Sequence, residues 1–148
     1  MTDQKFKFWT KWLLWANIMT VGVGIAVAFF GNSILFELHN EASREVYFGG
    51  EAFPEGALAM KNWLFGVIGG TIIGFHLLMI FIIRNAFAKR EKWAYQALWV
   101  GMLSWFCVDS GVSAYWGALH NVWMINVVAL VLIGLPLVMT AKAFRKSN

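Results

Sequence analysis

Four apolar runs dominate the chain, at about 12–30, 63–83, 94–116 and 122–140, with polar stretches between them. Each is close to the ~20 residues that a helix needs to cross the hydrocarbon of a bilayer. Backbone groups in hydrocarbon must pair within their own segment, so helices are the expected form. The pattern predicts an all-α membrane four-helix bundle forming a single domain over 1–148. A shorter amphipathic pattern falls at 33–48. Leu35, Leu38, Ala42 and Val46 share one side, and Glu37, Asn40, Glu41 and Arg44 the other. Gly49-Gly50 is expected to stop it. The reading is a short helix in the first outer loop, lying on the outer leaflet or capping the bundle.

The third run carries a carboxylate, Asp109, in surroundings that otherwise suit lipid. An ionisable group there costs roughly 3 kcal/mol on insertion scales, and it survives by facing a partner, a cavity or water. At helical spacing Leu98, Met102, Trp105, Asp109, Val112, Ser113 and Trp116 share one side. Counting inward at about 1.5 Å per residue puts Asp109 roughly 10 Å below the outer end of its helix. Asn126 lies at similar depth on the next helix, so an Asp109–Asn126 hydrogen bond is expected, with Ser110 and Ser113 nearby. Two roles stand open for this centre: structural glue between two helices, and a ligand or proton site. The same counting places His76 and Asn17 at one depth near the inner side, as a second expected pair.

Composition agrees with the pattern. The chain is 59% hydrophobic and 14% charged, against about 25% charged residues in soluble domains. One cysteine, Cys107, excludes an intrachain disulfide and CxxC chemistry. The formal charge is +4, but its distribution is that of a membrane protein, not of a nucleic-acid surface. Lys5, Lys7 and Lys11 precede the first run. Arg84, Lys89, Arg90 and Lys92 lie between the second and third, and Lys142, Arg145 and Lys146 follow the fourth. The first loop holds Glu37, Glu41, Glu45, Glu51 and Glu55 against Arg44 and Lys61. The positive-inside rule therefore puts both termini in the cytoplasm and that loop outside. Trp9, Trp12 and Trp93 are expected at the inner interface, and Trp63, Trp116 and Trp123 at the outer one. Ala26-Val-Ala28 has the form of a signal-peptidase site. The run around it is longer than the usual 7–15 residues of a signal core, so an uncleaved spanning helix is expected. Compact size points to a bacterial inner membrane.

Gly66, Gly70 and Gly74 recur every four residues in the second run, with Gly24 and Ala28 as a matching strip in the first. Close helix packing at those three glycines is the expectation. His39, Glu41 and His120 form a candidate metal cluster on the outer side, histidine and carboxylate being metal-ligand types. His76 has no histidine partner at its depth, which disfavours a haem within the bundle. No phosphate loop, HExxH or Ser-His-Asp order is present. Trp99 and Trp105 lie deeper than an interfacial belt requires, and Trp105 shares the Asp109 face.

These features define the layout: four spans in 148 residues, a long outer loop after the first, the glycine strip, and Asn121 and Asn126 followed by Gly134-Leu-Pro136. In architecture it resembles the DoxX-like group of small bacterial four-helix membrane proteins. The resemblance implies an inner-membrane protein, and a few members of that group look like subunits of quinone-linked oxidoreductases. It carries over no catalytic residue. The expected function is non-enzymatic: an accessory or small apolar-ligand-binding membrane protein centred on Asp109, with Trp105, Ser113, Asn126, His76 and Asn17 as candidate binding residues. A membrane redox or lipid-modifying subunit handling a quinone or lipid is the alternative, and an oligomeric proton-coupled transporter the third. The expected partners are the lipid bilayer, a quinone or lipid ligand, and a membrane-protein partner or second copy of the chain.

Overall fold

The computed structural model describes residues 1–145; Lys146, counted above with the basic tail, lies outside them. Every regular element among the described residues is helical. We label the helices α1 (Asp3–Phe30), α2 (Glu37–Phe48), α3 (Glu55–Asn85), α4 (Lys92–Tyr115) and α5 (Leu119–Phe144). The four long ones, α1, α3, α4 and α5, have the length and apolar composition to cross a membrane. α1 lies against α3 along its length and against α5, and α4 packs on α5.

The helices outrun the apolar runs that predicted them. α1 begins nine residues before Trp12 because Thr2 caps it, its side chain accepting from the Lys5 N–H at 3.4 Å, with Asp3 in the first turn. α3 starts at Glu55, directly after Pro54. α2 ends as expected at Phe48. Gly49 takes the left-handed conformation (φ 59°) and its N–H returns to the Arg44 carbonyl.

The half of the bundle that holds the start of α1 and the α3–α4 turn contains the core. Leu13, Met79, Ile83, Phe87, Leu98, Met102, Ile133 and Leu137 are buried there. Phe6, Phe87, Phe144 and Tyr95 close its end, with Phe87–Phe144 centroids at 4.9 Å and Tyr95–Phe144 at 4.7 Å. Arg90 crosses this cap, pairing with Asp3 and lying 4.6 Å over the Phe6 ring.

Two packing expectations are corrected. A Cβ added at Gly66, Gly70 or Gly74 would meet nothing within 4 Å, so those glycines do not mediate close approach. The contact runs one register over. A Cβ at Gly69 would stand 2.5 Å from the Gly24 carbonyl oxygen and 2.7 Å from the Ala28 backbone nitrogen. Gly24 and Ala28 are the partners foreseen on α1, but they meet Gly69. The second concerns α2, for which two placements stood open. Its apolar side does not cap the bundle, for Leu38 and, in the short turn before α2, Leu35 are 72% and 75% exposed. It docks instead through polar residues. Asn40 is 4% exposed and donates to the Gly31 carbonyl at 3.0 Å.

Candidate functional site

The centre forms where α4 and α5 meet near the α4–α5 turn. Asp109 Oδ1 accepts from Asn126 Nδ2 at 2.7 Å, Asn121 Nδ2 at 2.8 Å and Ser113 Oγ at 3.3 Å. Asn121 Nδ2 also reaches Ser113 Oγ at 2.9 Å, and Asn126 Nδ2 reaches Ser110 Oγ at 3.0 Å. Three donors converging on one oxygen is an arrangement that an anionic acceptor supports. The Asp109–Asn126 pair is the one that depth counting anticipated.

Asn121 was not foreseen as a partner of Asp109, and the reason is local. Residues five apart in an α-helix point roughly 140° away from one another. The start of α5 is not α-helical throughout. Val122–Asn126 forms a π turn, closed by the Val127 N–H on the Val122 carbonyl. Widening the turn to i→i+5 brings positions 121 and 126 onto one side. Both amides therefore reach the same carboxylate. An asparagine pair spaced by five beside an acid in an apolar run is the signal that would have found it.

A cavity of about 390 Å³, an open groove and not an enclosed chamber, adjoins this centre, lined by Trp105, Val108, Asp109, Val112, Ser113 and Asn121. Its walls are apolar and its polar end is Asp109 with Ser113 and Asn121. Val108 and Val112 are exposed on the outward side of α4. The cavity thus opens sideways, away from the bundle axis.

His76 and Asn17 do pair, on α3 and α1. His76 Nδ1 lies 2.7 Å from Asn17 Oδ1, an oxygen that only accepts, so Nδ1 carries the proton. Asn17 Nδ2 then donates to the Leu13 carbonyl at 2.8 Å. Both residues are buried and neither lines the Asp109 cavity. The structure therefore divides the candidate binding residues. Trp105, Asp109, Ser113 and Asn126 come together, while His76 and Asn17 form a separate helix–helix contact.

At the other end of the bundle from the core, His39 of α2 and His120 of α5 meet edge to face, with ring centroids 4.9 Å apart. Ser43 spends its hydroxyl proton on the His39 carbonyl at 2.8 Å, so His120 Nε2 donates to Ser43 Oγ at 3.1 Å. His39 Nδ1 is buried without a partner. Burial, then the neighbouring His120, pulls the His39 imidazole below the ordinary histidine range. Glu41 does not join the pair; its closest cation is Arg44 at 4.0 Å. Among the described residues no group of three His, Cys, Asp or Glu side chains is placed to hold a metal ion.

Fold and site together define an all-helical protein with four helices fit to span a membrane and a carboxylate–amide centre between two of them. Comparison with family models, with characterised proteins and with solved structures returns no match.

Proposed function

We propose that this chain is an integral membrane protein whose Asp109 cavity binds a small apolar ligand, in an accessory and non-enzymatic role. The cavity carries the reading. Its volume of about 390 Å³ lies within the ~300–1,000 Å³ of ligand pockets, which are apolar chambers with a few fixed polar groups. A contact serving only as glue needs the hydrogen bonds but no adjoining space.

Membrane insertion is supported by what the long helices turn outward. Trp15, Met19, Phe29, Phe81, Val100 and Val138 are all exposed. Soluble monomers rarely show contiguous apolar surface on such a scale. The exposed Leu38 of α2, with Leu35 in the turn before it, suits a helix lying in the outer leaflet. The basic flanks support a topology with both termini in the cytoplasm, and the compact size supports a bacterial inner membrane. The likeness in layout to DoxX-like proteins agrees with that placement.

Native mass spectrometry after mild purification tests the reading, comparing the wild type with Val112→Phe, which fills the cavity from its exposed wall. The wild type is expected to carry a small apolar molecule, and the folded variant to lose it. Equal retention by both would place any ligand elsewhere and refute the proposal.

A further inference from the structure

Resting on the ligand-binding reading of the Asp109 cavity, we propose that its ligand is an organic cation: a protonated amine on a small apolar body. The hydrogen-bond inventory of the site leads there. Both donors of Asn121 and both of Asn126 are spent, on Asp109, Ser113 and Ser110. The Ser113 hydroxyl is spent on Asp109. Acceptors are left over. Asp109 Oδ2 takes part in no hydrogen bond among the described residues, and it is not sealed off, since it is absent from the buried unpartnered atoms. Asn126 Oδ1 also lacks a donor, but it is fully buried and outside the cavity lining, so Asp109 Oδ2 is the acceptor that faces the space. The orientation of that amide is fixed, because turning it over would set its oxygen against the carboxylate. The cavity thus presents a free carboxylate oxygen with no donor for it. What completes it brings N–H donors and a positive charge.

The walls decide what kind of cation. Trp105, Val108 and Val112 offer no oxygen ligand, so a bare inorganic ion would gain too few contacts to replace its hydration shell. An ammonium needs fewer. It donates to Asp109 Oδ2 through a charge-assisted bond, and Trp105, the strongest cation–π residue type, lies one helical turn away in the same lining. The apolar body then fills the space beside Val108 and Val112 and reaches it through the open side. A quinone fits the cavity's size but not its chemistry, since its carbonyl oxygens would face acceptors.

The test uses the full chain in phosphatidylcholine nanodiscs. Binding of 2-phenylethylammonium is compared with that of 2-phenylethanol, the same body without the charge, by calorimetric titration. The amine is expected to bind at least about tenfold more tightly. Asp109→Asn should remove most of the amine's advantage over the alcohol. The comparison of the two probes on the wild type stands alone if that variant does not fold. Equal affinity of amine and alcohol overturns the cation and leaves the cavity reading intact. Absence of amine binding also overturns it; ligand retention in the mass-spectrometric comparison then tells whether the cavity reading falls too.

Discussion

The indole N–H of Trp12 donates to the backbone carbonyl of Leu132 at 3.0 Å, across the α1–α5 interface. Leu132 is the residue four before Pro136, and a proline has no N–H to close that turn. α1 supplies the missing donor from a side chain. Trp12 is thereby a helix–helix contact as well as an aromatic residue on the core half of the bundle, and the proline inside α5 is tolerated because its freed carbonyl is answered.

Trp12→Phe keeps the ring and removes the donor, and should cost about 1–2 kcal/mol of stability through the unanswered carbonyl. Pro136→Ala returns an N–H to the turn. In that background Trp12→Phe should cost little. A double-mutant cycle read by thermal unfolding in detergent checks this, and additive losses would show that the indole and the proline are not linked.

Gly69→Ala should destabilise by about 2 kcal/mol, since its Cβ would collide with backbone atoms of α1 that cannot swing aside. Gly70→Ala, one residue on, meets open space and should be neutral, or stabilising by up to about 1 kcal/mol from helix propensity. Unfolding temperatures of the two variants check the register of the α1–α3 contact.

The His39–His120 contact makes the seating of α2 sensitive to acid. The folded-state value of His39 lies below the ordinary range, from burial first and the nearby His120 next, with the Lys61 cation adding to it. The unfolded chain therefore takes up the proton first. Stability should fall as pH drops below about 6.5 and level off once folded His39 also protonates. Thermal unfolding at pH 7.5 and pH 5 should show the loss, and His120→Gln should reduce it.

Topology follows from the charge pattern. Reporter fusions at Gly50 should read outside and those at Ala88 inside. An inside signal at Gly50 would reverse the orientation and with it the depth assigned to Asp109.

Much of this molecule is legible in its residues. Hydropathy located four helices because lipid-facing and core-facing positions are alike apolar. Depth counting along antiparallel neighbours brought Asp109 to Asn126 and Asn17 to His76, because rise per residue is nearly constant. Rotation about a helix axis was harder to read. Gly66, Gly70 and Gly74 formed the more regular strip, yet Gly69 makes the contact, since a glycine facing lipid and one facing a helix look the same in sequence. Asn121 was hidden by the π turn, which breaks the 3.6-residue period that facing arguments assume. The placement of α2 stayed open for a related reason. Its amphipathic pattern told which residues differ from one another, not which set the bundle would take.

The most direct test of the Asp109 centre is a pair of substitutions, read by stability and by ligand retention together. Asp109→Ala should cost about 1–2 kcal/mol, because the Asn121 and Asn126 amides lose their shared acceptor. Asp109→Asn keeps the shape and an acceptor oxygen while removing the charge, so the fold should survive with stability close to that of the wild type. If the cavity binds its ligand through the carboxylate, the folded Asn variant will emerge from mild purification without the small molecule that the wild type carries. A folded Asn variant that retains that molecule at the wild-type level would contradict the ligand role and leave Asp109 as glue between two helices.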